Sequence, residues 1–278
     1  MRRRILAIGA LVAAALATWL VLKPGGVLGP ADRHGAHVSD FTIDSKAVGA
    51  ELPVSVVVPA GSAGDGRPLL IFLHGRGADE HSEEVGPMFA ALSRLGKQAP
   101  VVAFPYGGDH SYWHDRAGGD WADYVTDEVI PQVTRRFHTA PDRVAIGGIS
   151  MGGFGAYDIA VHDPGSFCAV GGHSPALWQS ADETAEGAFD DATDFAQNDV
   201  IAAANTDPGP FVSQPLWLDA GDSDPFQPGD EAFIATLRAD GANLTTKTWP
   251  GGHESEYWNS HWPSYLRFYA KALETCNE

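Results

Sequence analysis

The sequence predicts an α/β fold on a mostly parallel central sheet, and two features carry that prediction. Short apolar runs rich in β-branched or large residues alternate along the chain with longer stretches of helical periodicity. Such alternation places helices on both faces of a sheet whose strands run the same way. In addition, a glycine-flanked serine, Gly148-Ile149-Ser150-Met151-Gly152, stands where one apolar run hands over to a helical stretch.

Taken in order, the chain begins with the basic residues Arg2, Arg3 and Arg4, followed by the uncharged run 5–22 (ILAIGALVAAALATWLVL). As a helix this run rises about 27 Å, close to the thickness of a bilayer core. At the extreme terminus behind three arginines it reads as an export signal. It is either a signal peptide cut after Ala15-Leu16-Ala17 or an uncut anchor with the arginines held inside. The apolar residues from Trp19 to Leu22 tilt the choice towards the anchor. Either way the body is expected outside the cytoplasmic membrane, secreted or anchored, with membrane contact only through residues 5–22 if they are retained. Residues 23–38 are Gly/Pro-rich and aperiodic, a flexible linker. A single folded domain is expected over 39–278.

Strands are expected at 52–58, 69–73, 101–104, 144–149, 168–171 and 216–218. Between them Trp121, Val125, Val129 and Val133 recur every four residues, with Asp123, Asp127 and Glu128 off the stripe. Pro131 is expected to kink that helix. Residues 154–161, 231–237 and 257–273 also read as helices. Segment 179–214 is longer than a tight connection needs and is expected to be an excursion above the sheet edge.

The formal net charge is −18, and the four bases before residue 30 face no acid, so the remainder sets 14 bases against 36 acids. A body that acidic repels phosphate backbones and excludes nucleic acid as a partner. Two cysteines, Cys168 and Cys276, rule out a cysteine-based zinc or iron–sulfur site. They are free to oxidise in an exported protein, but the sequence does not say that they meet.

The chemistry centres on Ser150. The turn G-x-S-x-G exposes a serine between a strand and a helix. Both flanks are present, with Val144-Ala145-Ile146 leading in and Gly153-Phe154-Gly155-Ala156-Tyr157 leading out. A serine hydroxyl is a weak nucleophile until a base takes its proton, and the base needs an orienting carboxylate. On the strand–turn–helix scaffold that carries this motif the partners follow in the order serine, acid, histidine. That leaves His162, His173, His253 and His261. His253 is preferred because Trp249-Pro250-Gly251-Gly252-His253 is a loop between the last strand and the last helix, whereas His261 lies within that helix. For the acid, Leu218-Asp219-Ala220-Gly221-Asp222-Ser223-Asp224-Pro225 ends a strand in three carboxylates. Asp219 still belongs to the strand. Asp224 lies deepest in the loop and is preferred, with Asp222 as the alternative.

The oxyanion of a tetrahedral intermediate needs donors. The backbone N–H of Met151 at a helix start is one candidate. Leu73-His74-Gly75-Arg76-Gly77 follows a strand and supplies the N–H of Arg76 or Gly75 as the second. His74, Tyr112, Trp113 and Trp178 are candidates to line a substrate pocket, with core packing as the competing fate of the aromatics. His110 and His114 have the helical spacing of metal ligands but lack a carboxylate frame, and no metal is expected.

Several of these segments together resemble the esterase family of S-formylglutathione hydrolases, feruloyl esterases and antigen 85 mycolyltransferases. The resemblance runs from about residue 68 to 268. It is carried by Leu73-His74-Gly75-Arg76-Gly77, Pro105-Tyr106-Gly107-Gly108, Ser111-Tyr112-Trp113, Asp142-Arg143, Gly148-Ile149-Ser150-Met151-Gly152-Gly153, Asp163-Pro164-Gly165-Ser166-Phe167, and Gly252-His253 with Trp258. It implies an α/β-hydrolase fold, no cofactor, and a nucleophile, acid and base at Ser150, Asp224 and His253. No convincing match to the trehalose- and mycolate-binding elements of antigen 85 is present. The expected activity is therefore a serine esterase acting on small-molecule or glycan-linked esters. Acyl transfer to a cell-envelope sugar or alcohol is the alternative.

Overall fold

Runs such as Leu69–Leu73 are apolar at every position, as expected of a strand covered on both faces. The computed structural model, which describes residues 31–276, bears this out. The strands are β1 (His37–Ser45), β2 (Ala50–Val58), β3 (Leu69–Leu73), β4 (Val101–Pro105), a two-residue ribbon β5 (Asp115–Arg116) with β6 (Gly119–Asp120), then β7 (Val144–Ile149), β8 (Val170–His173), β9 (Leu216–Gly221) and β10 (Leu244–Trp249). Eight of them form one sheet in the order β1-β2-β4-β3-β7-β8-β9-β10. The pairs β1/β2 and β2/β4 are antiparallel, and every pair from β4 to β10 is parallel.

The helices are α1 (Gly86–Leu95), α2 (Trp121–Asp123), α3 (Ile130–Phe137), α4 (Met151–His162), α5 (Ala192–Gln197), α6 (Val200–Thr206), α7 (Gly209–Val212), α8 (Gln227–Ala239) and α9 (Ser255–Thr275). Alternate strand residues feed two cores. Leu69, Ile71 and Leu73 join Val133, Tyr157 and Phe233 of α3, α4 and α8. Leu70 and Phe72 join Phe89, Trp262 and Tyr265 of α1 and α9 on the opposite face. A mostly parallel sheet with helices on both sides is the α/β-hydrolase architecture.

Several local expectations need correction. β1 starts at His37, inside the segment read as linker, and pairs with β2 along its whole length. Its signal was a period-two alternation, Phe41-x-Ile43-x-Ser45, diluted by polar residues on the outer face. Pro131 sits inside a continuous helix: the chain passes from α2 through the wider π-helical turns of Tyr124–Val129 straight into α3, and the hydrogen bond that the proline cannot make falls where the helical ladder changes register. Wide turns also suit the four-residue spacing of Val125, Val129 and Val133, all fully buried. β8 lies two residues later than expected because Gly171 and Gly172 belong to it. Their backbones lie flush against the rings of Tyr269 and Tyr157, where a Cβ on Gly172 would sit 2.5 Å from the Tyr157 ring. Segment 179–214 is indeed an excursion, folded into α5, α6 and α7.

Cys168 and Cys276 are joined by a disulfide with Cα atoms 5.5 Å apart, tying the approach to β8 to the end of α9. The apolar run 5–22 lies outside the described residues. Among the described residues no helix is long and apolar enough to cross a membrane.

Candidate active site

The parallel strands β3, β7, β9 and β10 all end at one edge of the sheet, and each hands a chemically useful segment to the loop that follows it. β7 delivers Ser150 at φ +56° and ψ −114°, a strained conformation for a residue with a side chain. The flanking glycines allow the sharp turn. A Cβ on Gly148 would lie 2.5 Å from the Gly152 backbone, and one on Gly152 would collide with the Leu73 carbonyl. The turn is held by the Ser150 N–H donating to His173 O at 3.0 Å. Its own carbonyl accepts from Phe154 N–H and Ala176 N–H, each at 3.0 Å.

The loop after β10 brings His253 over the serine, with Nε2 2.7 Å from Ser150 Oγ. The loop after β9 brings Asp224 to the other ring nitrogen, with Oδ2 2.9 Å from Nδ1. A proton on Nδ1 satisfies both contacts, leaving Nε2 to accept from the serine hydroxyl. Asp224 is 4% exposed. Burial works against its ionisation, but hydrogen bonds from His253, from Phe226 N–H (2.9 Å) and from Ser174 outweigh it and hold the carboxyl below its ordinary range. The imidazole is fixed by packing, its centroid 5.0 Å from the Phe226 ring and 5.1 Å from the Trp258 ring.

Of the two eligible loop aspartates, the structure carries Asp224 to the imidazole. Asp222 is exposed, and its Oδ1 accepts from Gly251 N–H at 3.2 Å, tying the acid loop to the histidine loop. Asp219 lies in β9 below the site, fully buried. It accepts hydrogen bonds from Trp217 Nε1 and from the hydroxyls of Tyr257 and Tyr265, and pairs with His173 Nδ1 at 2.7 Å. His261 stacks on Trp249 at 3.9 Å, away from the serine.

Met151 is the first residue of α4, so its N–H has no carbonyl a turn earlier to bond. Arg76 lies on the loop after β3. A Cβ on the adjoining Gly75 would sit 3.5 Å from Ser150 Cβ, so this loop passes directly beside the serine. His74 fixes the loop from below. Its Nε2 accepts Gly107 N–H at 2.9 Å, which makes Nδ1 the donor to Gly75 O at 2.8 Å.

A cavity of about 620 Å³ opens over Ser150 and His253, with Arg76, Tyr112 and Trp258 among its walls. Tyr112 is the one expected pocket residue found there. His74 and Trp113 do not line it, because they pack under the loops: the Trp113 indole donates to His74 O at 3.2 Å and its ring lies against Gly107 and Gly155. Trp178 is likewise withdrawn from the cavity, packed on Tyr112, Phe189 and Phe226. Tyr112 and Trp113 both hold positive φ, +51° and +63°, and Arg76 hydrogen-bonds the Tyr112 hydroxyl across the cavity mouth.

His114 is buried against Phe189, and its Nε2 pairs with Asp194 at 3.1 Å. Among the described residues, the acidic and histidine side chains that converge closely enough to share an ion are Asp40, His81 and Glu84. There His81 and Glu84 already satisfy each other at 2.9 Å. Sequence reasoning missed Ser174, which bonds both Asp224 and Trp258, and Glu83 in the cavity wall. Neither stands in a motif; each is placed by folding alone.

The Esterase family model matches residues 45–269. Over 255 residues the chain is 23% identical to Esterase Rv1288 of Mycobacterium tuberculosis, covering 77% of this chain and 55% of that protein. Over 189 residues it is 28% identical to the diacylglycerol acyltransferase/mycolyltransferase Ag85A of Mycobacterium bovis, covering 64% and 54%. The chain thus spans about half the length of the curated relatives it matches. In fold it is similar to a ferulic acid esterase, with a TM-score of 0.76 at 21% identity over 86% of this chain and 98% of that one. With a family match across most of its folded body, this chain belongs to the esterase family.

Proposed function

We propose that this protein is an extracytoplasmic serine esterase that hydrolyses carboxylic esters through an acyl-enzyme on Ser150. The observation that carries the reading is the imidazole of His253, bridging Ser150 Oγ and Asp224 at 2.7 and 2.9 Å. His253 takes the Ser150 proton as Oγ attacks the ester carbonyl carbon. The carbonyl oxygen becomes an oxyanion against the N–H groups of Met151 and Arg76. Collapse breaks the bond to the alcohol, which leaves with the proton from His253. Water then attacks the acyl-enzyme by the same route in reverse, releasing the acid and restoring Ser150. Asp224 holds the tautomer and balances the transient imidazolium.

Export is supported by the N-terminal run 5–22 and by the Cys168–Cys276 disulfide, which persists in oxidising compartments. Substrates are small-molecule or glycan-linked esters, and contact with a membrane is through residues 5–22 alone if these are retained. The similarity to Ag85A favours a second reading, in which a sugar or alcohol rather than water accepts the acyl group.

The purified protein should release p-nitrophenol from acetate and butyrate esters, and Ser150→Ala should not. Adding glycerol separates the two readings: free acid as the sole acyl product means an esterase, acylated glycerol a transferase. Equal activity in Ser150→Ala and the parent defeats both. Fusing residues 1–30 to a phosphatase active only outside the cytoplasm tests export, and an inactive fusion counts against it.

A further inference from the structure

The cavity over Ser150 has a carboxylic acid in its wall that the mechanism does not use. Glu83 follows β3 on the same loop as Arg76 and lines the cavity shared by Ser150 and His253. The residue is only 9% exposed. Among the described residues no side chain or backbone N–H donates to its carboxylate, and its one charged neighbour of note is the like-charged Asp79. Burial, helped by Asp79, pushes the carboxyl up to about 7. Its neighbour Glu84 is equally little exposed but has partners, being hydrogen-bonded to Ser55 and His81.

A buried carboxyl without a donor carries a desolvation cost that a partner would remove. The oxygens of Glu83 are not sealed inside the protein, so the space from which a partner can come is the cavity itself. Arg76, the cation in the same wall, is turned to the Tyr112 hydroxyl. Across the cavity Ser255 and Asn259, at the start of α9, present further polar side chains that no hydrogen bond among the described residues engages. An acceptor with no protein donor, faced by small polar groups, suits a ligand that brings its own donor.

We propose that Glu83 is a specificity-determining residue that accepts a hydrogen bond from a hydroxyl or ammonium group on the substrate, so that the enzyme prefers donor-bearing esters to hydrocarbon ones. This rests on the esterase reading of the same cavity. Glu83 acts on which ester is held and takes no part in moving the proton between Ser150 and His253.

The test compares kcat/KM for glycerol 1-butyrate and propyl butyrate, which share an acyl chain and differ in the two hydroxyls. The readout is their ratio, because a variant that folds poorly lowers both rates and leaves the ratio alone. The parent should favour glycerol 1-butyrate by about tenfold, the gain expected of one charge-assisted hydrogen bond. Glu83→Leu should bring the ratio to near unity. Glu83→Gln, which keeps an acceptor but loses the charge, should fall between. Competition by 1-propanol and by propylammonium tells the neutral donor from the charged one, and the donor that Glu83 reads should lose potency in Glu83→Leu. A ratio that is the same in the parent and both variants, with neither competitor weakened, overturns the proposal while leaving the esterase reading intact. Absence of any Ser150-dependent turnover of either ester is the different result that overturns the esterase reading and this inference with it.

Discussion

The indole nitrogen of Trp258 donates to Ser174 Oγ at 3.0 Å, and the Ser174 hydroxyl is in turn hydrogen-bonded to the Asp224 carboxylate. Ser174 immediately follows β8 and is held at φ +47°. Trp258 also packs edge-on to the His253 ring. One side chain of α9 therefore braces both partners of the serine. Ser174→Ala should lower kcat about tenfold with little change in KM, the effect of losing one hydrogen bond to a charged group. Steady-state kinetics checks this, and Ser174→Thr, which keeps the hydroxyl, should restore most of the loss. A change confined to KM would assign Ser174 to binding instead.

Ser150→Ala should reduce kcat at least a thousandfold while the thermal midpoint stays within a few degrees of the parent. The alanine keeps the backbone bonds of the turn, since the Ser150 N–H and carbonyl make them. Calorimetry alongside the rate measurement separates lost chemistry from lost fold.

The two loop aspartates should part company on substitution. Asp224→Asn disturbs the tautomer that presents Nε2 to the serine, and a loss on the order of 10⁴ in kcat is expected. Asp222→Asn keeps an oxygen for the Gly251 N–H and should change kcat less than threefold. Similar losses in both variants would mean that the acid loop rearranges in solution.

Reducing the Cys168–Cys276 disulfide should destabilise the fold. The bridge spans 108 residues of chain, for which loop-closure entropy gives roughly 4–5 kcal/mol. A Cys168→Ser, Cys276→Ser double variant should unfold at correspondingly lower denaturant. Unfolding at the parent's midpoint would show that α9 is held by its packing alone.

Stability should also fall as pH rises through the Glu83 window. Its folded carboxyl titrates at about 7, against an ordinary value of 4.5. Between these values the folded state binds the proton that the unfolded state has released. The penalty is absent below pH 4.5, grows to pH 7 and is constant above, reaching on the order of 3 kcal/mol. Glu83→Gln removes it, so its thermal midpoint should exceed the parent's by several degrees at pH 8 and match it near pH 4.5. Equal midpoints at both pH values would show that water reaches the carboxyl freely.

Legibility in the sequence followed the strength of the local signal. β3, β4 and β7 were readable because strands covered on both faces are apolar at every position. β1, with one polar face, was not, and β8, with two glycines under tyrosine rings, was read two residues early. α1 went unread because its buried residues Met88, Phe89, Ala91 and Leu92 occupy under three turns, too short for a periodic stripe to stand out.

The sequence alone determined the alternating α/β architecture and the serine turn. These depend on residues close together in the chain, where spacing and backbone preference act directly. The tertiary structure decided what lies across the sheet edge. It chose Asp224 over Asp222, withdrew His74, Trp113 and Trp178 from the cavity, joined Cys168 to Cys276, and set Ser174 and Glu83 at the site. Each of those outcomes depends on where loops from separate strands converge, and that is fixed by packing against the whole sheet.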